Sequence, residues 1–302
     1  MKATLKWTVI IMGALVGLLI LGMLVLYSAG RMRLTKKYDV YVATVTIPSD
    51  VESLAEGKRI FQYRGCEACH GEELQGLVYM DNPALGQVIT PNLTSGQGGI
   101  GASRADVDLV RAIRHGLRPD GTPLLFMPST EFYFLSDADL GKMLTYIRSL
   151  PPVDKETQAS TLSFTGFMAM NLIKSVTFLP AELIPHNEPP PTVPEPGVTT
   201  QYGEYLSLSC KVCHGLTLSG GEIPGFPVEW PATPNLTSGK GSRLPTWDEA
   251  GFIEIIRTGE KHGRRITLLY MPWKSYRHMT DDELRAVYAY LMSQPPKDFG
   301  NR

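Results

Sequence analysis

Cys66-Glu67-Ala68-Cys69-His70 and Cys210-Lys211-Val212-Cys213-His214 are two copies of one C-x-x-C-H pattern in a chain of 302 residues. The copies lie 144 residues apart, and the same offset relates Leu74 to Leu218, Gly76 to Gly220, Met127 to Met271, Tyr146 to Tyr290 and Pro151 to Pro295. Between these anchors, residues 90–96 and 233–239 both spell TPNLTSG at an offset of 143, shared by the pairs Arg114/Gly116 and Arg257/Gly259. One single-residue gap and its later compensation reconcile the two offsets. A period this long exceeds any solenoid unit, so each copy is a whole domain and the chain carries a duplication.

The motif has a chemical reading. Two thiols separated by two residues can each add to one of the two vinyl groups on the same porphyrin edge, and the adjacent His is then held under the iron as an axial ligand, the attachment pattern of c-type haem. A thioredoxin-like pair would need a βαβ setting and gives no reason for the following His. A zinc site needs four ligands, and Cys, Cys and His supply three. Haem iron held by His and Met has a raised reduction potential, so each copy should offer a Met downstream of its His. Met127 follows His70 by 57 residues and Met271 follows His214 by 57, within Leu-Leu-Phe-Met-Pro and Leu-Leu-Tyr-Met-Pro. Met80, Met143, Met279 and Met292 have no Met at the equivalent position and read as core fillers. The expected site is therefore two covalently bound c-type haems: Cys66, Cys69, His70 and Met127 for one, Cys210, Cys213, His214 and Met271 for the other. The iron ligands are His70, Met127, His214 and Met271. The unrepeated His115, His186, His262 and His278 read as surface or loop residues. The repeated Arg114, Arg257, Asn92 and Asn235 are expected to hydrogen-bond haem propionates or crevice backbone, and the glycosylation sequons at Asn92 and Asn235 read as coincidence.

Residues 7–27 form a run of 21 without a charge, close to the ~20 a spanning helix needs, with Trp7 and Tyr27 at its ends. Its length and the poor cleavage site at Tyr27-Ser28-Ala29 favour a retained anchor over a cleaved signal peptide. Gly13 and Gly17 form a GxxxG, which is common in spanning helices. Lys2 and Lys6 precede the span and Arg31, Arg33, Lys36 and Lys37 follow it, so the positive-inside rule alone would put the bulk of the chain in the cytoplasm. Covalent haem attachment in bacteria takes place outside the cytoplasmic membrane, which overrules that count and places residues 34–302 on the periplasmic or extracellular side. Residues 34–49 read as an extended stalk or short strand leading off the membrane. Each copy should hold three helices: 51–63, 104–115 and 136–150 in the first, 200–208, 247–258 and 280–294 in the second. The segment 164–173 is too short to span a bilayer and reads as amphipathic, lying on or between domains, with a membrane-surface role as the lesser reading. The prolines between His186 and Pro196 favour a stiff, polyproline-like linker. The expected division is an anchor (1–33), a first domain (34–153), a linker (154–198) and a second domain (199–302). Lys plus Arg number 29 and Asp plus Glu 30, which leaves no field to hold nucleic acid.

The repeated C-x-x-C-H-G, TPNLT, Leu-Leu-x-Met-Pro and closing helix with Pro-Pro together resemble class I cytochrome c domains, particularly those in the cytochrome subunits of membrane-bound alcohol, aldehyde and gluconate dehydrogenases. Residues 179–184 (LPAELI) are similar to those proteins as well. The resemblance implies an all-α fold, with two such domains in tandem behind one N-terminal transmembrane helix, in which Gly57 or Gly203 lets the third helix cross the first near Tyr146 or Tyr290. It also implies an electron-transfer protein rather than an enzyme, relaying single electrons from a dehydrogenase or quinol-oxidising complex to an acceptor such as a terminal oxidase. The chain differs from those subunits in having two haem motifs rather than three and an N-terminal anchor. A dihaem subunit of a haem-copper oxidase and a dihaem peroxidase-type enzyme are the alternatives, although a second Met-Pro ligand argues against the open iron a peroxidase requires.

Overall fold

The computed structural model describes residues 2–173, 176–188, 192–223, 230–242, 244–261, 264–267 and 270–302. His262, Leu268, Leu269 and the prolines at 189–191 lie outside the described residues. The chain opens with α1 (Lys2–Thr35), then α2 (Val51–Tyr63), α3 (Cys66–His70), β1 (Val78–Asn82), β2 (Gly86–Ile89), α4 (Asp106–His115), α5 (Ser129–Phe132), α6 (Asp137–Arg148) and β3 (Thr161–Leu162). It continues through α7 (Phe164–Leu172), a 3-10 turn (Pro180–Leu183), α8 (Thr200–Leu206), α9 (Leu208–His214), a second 3-10 turn (Leu244–Thr246), α10 (Glu249–Thr258), β4 (Glu260–Lys261), β5 (Arg264–Arg265), α11 (Trp273–Tyr276) and α12 (Asp281–Ser293).

The three expected helices of each copy are α2, α4 and α6, then α8, α10 and α12. Their ends follow from local chemistry. Asp50 caps α2, Ser136 caps α6, and Thr280 with Glu283 forms a reciprocal capping box on α12. Gly116 and Gly259 end α4 and α10 in the left-handed conformation that glycine adopts without a Cβ penalty. In each copy the first helix crosses the third at a glycine. A Cβ on Gly57 would stand 1.9 Å from the Lys142 carbonyl oxygen, and one on Gly203 would stand 1.9 Å from that of Ala286. No side chain fits in either place, which is the close crossing the resemblance implied.

The fold is mainly helical but includes strands that the all-α expectation omits. β1, β2 and β3 form a small antiparallel sheet in that order, and β4 pairs with β5. The β1–β2 hairpin forms because Val78, Tyr79, Val88 and Ile89 favour extended backbone, while the Asn82 side chain accepts hydrogen bonds from the amides of Ala84 and Leu85 and closes the turn.

Residues 36–49 run extended but undetached. Val40 and Val42 are buried in the main core, Thr145 Oγ1 donates to the Pro48 carbonyl, and the Tyr38 amide donates to Gly121. The supposed stalk is a strap on the first copy. α7 packs on α1 and on the β1–β2 hairpin of the first copy. Its run FTGFMAMNL has no polar face, so the amphipathic reading is replaced by that of a uniformly apolar helix.

The two copies touch. Arg59 of α2 pairs with Glu283 of α12 (2.5 Å) and with Glu56 (2.6 Å), and Tyr205 of α8 donates to Asp139 of α6 (2.6 Å). One apolar cluster runs through both.

His115 ends α4 buried, contrary to the surface reading, because residues 181–186 fold back over it. His115 Nδ1 lies 3.1 Å from His186 Nδ1, and His186 Nε2 lies 2.9 Å from the Ala181 carbonyl oxygen. Burial, then the charges of His186, Arg114 and Arg111, pushes His115 down to about 4. A histidine with a depressed folded-state pKa stabilises the fold above its unfolded pKa of about 6.5, and that contribution is lost as pH falls toward the folded value. The melting temperature of the protein is expected to drop between about pH 6.5 and pH 4, and His115→Phe to flatten that slope.

Candidate functional site

α3, of five residues, and α9, of seven, carry the two thiols and end on the histidine. Each histidine is buried and oriented by a backbone acceptor. His70 Nδ1 lies 3.2 Å from the Pro91 carbonyl oxygen, and His214 Nδ1 lies 2.8 Å from that of Pro234. With Nδ1–H donating there, Nε2 is left as the lone-pair nitrogen in both rings, the arrangement that outer-shell partners impose on a metal-binding His.

The TPNLT string explains itself residue by residue. Thr90 Oγ1 donates to the Cys69 carbonyl (2.7 Å) and Thr233 Oγ1 to that of Cys213 (2.9 Å), which fastens the string to the C-x-x-C turn. The proline carbonyl then takes the histidine. Asn92 Nδ2 donates to the Val153 carbonyl (2.7 Å) and Asn235 Nδ2 to that of Lys297 (2.7 Å), residues that follow the closing helices α6 and α12. The Oδ1 of each Asn accepts from the amide and hydroxyl of Thr94 or Thr237. Both asparagines are buried with every polar atom engaged, so neither sequon is open to glycosylation.

The loop from each His to TPNLT is held in the same strained form. Leu74 and Leu218, both wholly buried, have φ of 57° and 60°, a region that costs a bulky L-residue energy. The carbonyls they present are taken by the amides of Leu93 and Leu236 at 2.8 Å. Both copies also hold Met-Pro alike. Pro128 and Pro272 cap α5 and α11 at φ −77°, ψ 53° and φ −80°, ψ 55°. Met127 and Met271 are half-buried against the apolar cluster that Cys66 and Cys210 also touch.

Arg64, two residues before Cys66, is 7% exposed, and among the described residues its Nε and Nη2 have no hydrogen-bond partner. It lies over the rings of Tyr63 (5.1 Å) and Tyr205 (5.2 Å), one from each copy. Its charge reaches both Cys66 and Cys210. Glu131 of α5, pushed up to about 7 chiefly by burial and opposed by Arg64, reaches Cys69, Cys210 and Cys213. The cysteine sides of the two sites therefore share one polar pair.

As free thiols the cysteines are the opposite of reactive. Burial raises all four, Cys66 and Cys210 to about 12, so a low-pKa redox thiolate of thioredoxin type is not formed. Among the described residues no three His, Cys, Asp or Glu side chains gather to hold a metal ion directly.

Residues 54–151 and 202–295 match the family model described as Cytochrome c. The chain belongs to the cytochrome c family. It is 27% identical over 277 residues to the cytochrome c subunit of the quinone alcohol dehydrogenase of Gluconobacter oxydans, covering 82% of this chain and 56% of that protein. Against the cytochrome c subunit of the quinone alcohol dehydrogenase of Komagataeibacter europaeus it is 26% identical over 281 residues, covering 83% and 58%. It is also 26% identical over 271 residues to the fructose dehydrogenase cytochrome subunit of Gluconobacter japonicus, covering 81% and 53%. The chain thus spans about half the length of these relatives. Cytochrome c domains carry covalent c-type haem. The site fits that group: paired thiols on one turn, an oriented imidazole, and a buried guanidinium with unused donors beside it.

Arg114 and Arg257 have partners of their own. Arg114 Nη2 donates to the Leu135 carbonyl (2.8 Å) and Asp137 (2.6 Å), and Arg257 binds the Arg277 carbonyl and Asp281 (2.6 Å). They tie the second helix of each copy to the start of the third. Sequence reasoning missed Thr90, Pro91, Thr233 and Pro234 as individual actors, although their repetition was visible. It also missed Arg64 and Glu131, which are unrepeated and gave no signal. Because each clamp Asn satisfies several buried groups at once, Asn92→Leu or Asn235→Leu is expected to destabilise the protein by roughly 1–3 kcal/mol in equilibrium denaturation, whereas Asn82→Leu in the exposed hairpin turn should cost less.

Proposed function

We propose that the chain is a membrane-anchored dihaem cytochrome c that relays single electrons from a dehydrogenase to a terminal acceptor. The duplicated site carries this reading: in both copies the same Thr, Pro and Asn hold a C-x-x-C-H turn with its imidazole Nε2 free, and a Met-Pro of matching backbone geometry follows 57 residues later. Cys66 and Cys69 would hold one haem and Cys210 and Cys213 the other, with His70 and Met127, and His214 and Met271, as the residues that would bind the iron. Bound haem supplies an iron that gains and loses one electron. The protein's part is to tether, orient and tune. The domains run 34–153 and 199–302, joined by 154–198 behind the anchor 1–33. The named dehydrogenase subunits among the relatives favour a dehydrogenase over a quinol-oxidising complex as donor, and a terminal oxidase suits the accepting end of the relay.

α1 is a candidate anchor, with mean hydropathy 3.0 over its apolar window. The haem domains face the periplasm or the cell exterior in this reading. The cations after the span have local roles on that side: Arg33 pairs with Glu182 (2.6 Å) and Lys36 lies over the Tyr38 ring (4.4 Å).

A buried positive charge favours the less positive state of a neighbouring redox centre, so Arg64 raises the potential of both haems. At an effective dielectric near 20, a unit charge roughly 10 Å away changes a one-electron equilibrium about tenfold, equivalent to about 59 mV. Arg64→Leu is expected to lower both midpoint potentials by about that amount in a redox titration, with Arg64→Lys keeping most of it.

Ligation is tested optically. Both haems are expected to be low-spin with the weak Met-to-ferric-iron charge-transfer band, and Met127→His and Met271→His each to remove one contribution. A high-spin haem, or a band indifferent to both changes, would overturn His/Met ligation and favour an enzyme with an open iron.

A further inference from the structure

The apolar run 7–27 occupies about 31 Å of helix at 1.5 Å per residue, close to the ~30 Å hydrocarbon core of a bilayer. α1 does not stop there. It continues unbroken to Thr35, so its last turns stand above the hydrocarbon, and α7 docks against that junction. Tyr27 stacks on Phe164 (5.0 Å) and meets the edge of Phe167 (5.4 Å). Asn171 Nδ2 donates to the Leu26 carbonyl (2.9 Å), and Arg33 donates to the Met170 carbonyl and to Asn171 Oδ1. Gly30 allows this approach, since a Cβ there would lie 2.2 Å from the Phe167 carbonyl oxygen. On its other side α7 is fixed to the β1–β2 hairpin, with Ser163 Oγ donating to the Ala84 carbonyl and Gly166 pressed against that of Leu85.

α7 is held at the level where the bilayer must begin, yet it keeps apolar side chains in the open. Phe164 is 44% exposed, Leu172 61% and Ile173 39%, and Leu183, beside the Arg33–Glu182 pair, is 65% exposed. The helix contains no charged residue. A short helix without a polar face belongs in a core or in lipid, and this one, packed on α1 and on the hairpin, still leaves Phe164 and Leu172 exposed. Arg31, over the Phe167 ring at 5.9 Å and within 3.3 Å of the Tyr27 hydroxyl, adds a cation at headgroup height. Aromatic and basic residues together mark the membrane–water boundary.

We infer that α7 is a second, monotopic membrane contact: it lies in the lipid interface with Phe164, Leu172 and Ile173 in the upper acyl region. This rests on the reading of α1 as a spanning anchor. The contact has a mechanical result. α1 alone would leave the haem domains free to swing, whereas α1 and α7 together, with the hairpin fixed to α7 and residues 36–49 strapped to the first copy, hold that copy at one angle to the membrane.

The test uses the full-length haem-loaded protein in phosphatidylcholine–phosphatidylglycerol vesicles, with a nitroxide on a new cysteine at Phe164→Cys, Leu172→Cys, Leu15→Cys or Val198→Cys. Power-saturation EPR then compares accessibility to oxygen, which partitions into lipid, with accessibility to a water-soluble nickel chelate. The expected result is a high oxygen-to-nickel ratio at 15, a lower one at 164 and 172 that is still several-fold above that at 198, and nickel access at 198. If 164 and 172 are as open to nickel as 198 while 15 stays protected, the inference fails and the anchor stands. If 164 and 172 are shielded from both reagents, a protein surface covers α7 and the lipid assignment is overturned. Nickel access at 15 would sink the anchor reading itself.

Discussion

The hydrogen bond from each histidine Nδ1 to a proline carbonyl is the constraint on which the site depends. It fixes the tautomer, leaving Nε2 with its lone pair, and it fixes the ring in a place that the helix-forming preference of a five- or seven-residue helix could not secure. For the proline carbonyl to be there, the TPNLT strand must be held at both ends. Threonine ties its start to the carbonyl of the second cysteine, and asparagine ties its middle to the chain leaving the closing helix. The closing helix is in turn held by its crossing at Gly57 or Gly203. Each copy is thus one closed circuit of contacts in which helix packing positions a single lone pair. The strained Leu74 and Leu218 persist because the circuit around them leaves no alternative path.

The contact between the copies turns two circuits into one electrostatic unit. Arg59–Glu283 and Tyr205–Asp139 hold the first helix of each copy against the third helix of the other. Within that seam Arg64 and Glu131 place a cation and a carboxyl where both cysteine pairs feel them. A charge in such a place acts on both centres at once, so neither site can be tuned alone by changing it.

The same economy extends toward the membrane end. The strap 36–49, the hairpin and α7 each remove a degree of freedom between the first copy and α1. The hairpin that made the fold less than purely helical is one of these fixtures.

The duplication, the C-x-x-C-H turns, the helix ends at Asp50, Ser136 and Thr280, and the apolar α1 were all legible in the sequence. Each depends on residues adjacent in the chain or on a repeat that can be counted. The paired methionines were legible as a pattern, since equal spacing twice is informative without a fold. Tertiary structure decided the rest. His115 reads as a loop residue until residues 181–186 fold over it, the segment 164–173 reads as amphipathic until it meets α1, and Arg64 is one arginine among many until Tyr63 and Tyr205 enclose it. Burial and pairing between residues tens to hundreds of positions apart are set by how helices cross, and nothing in a local pattern encodes that distance.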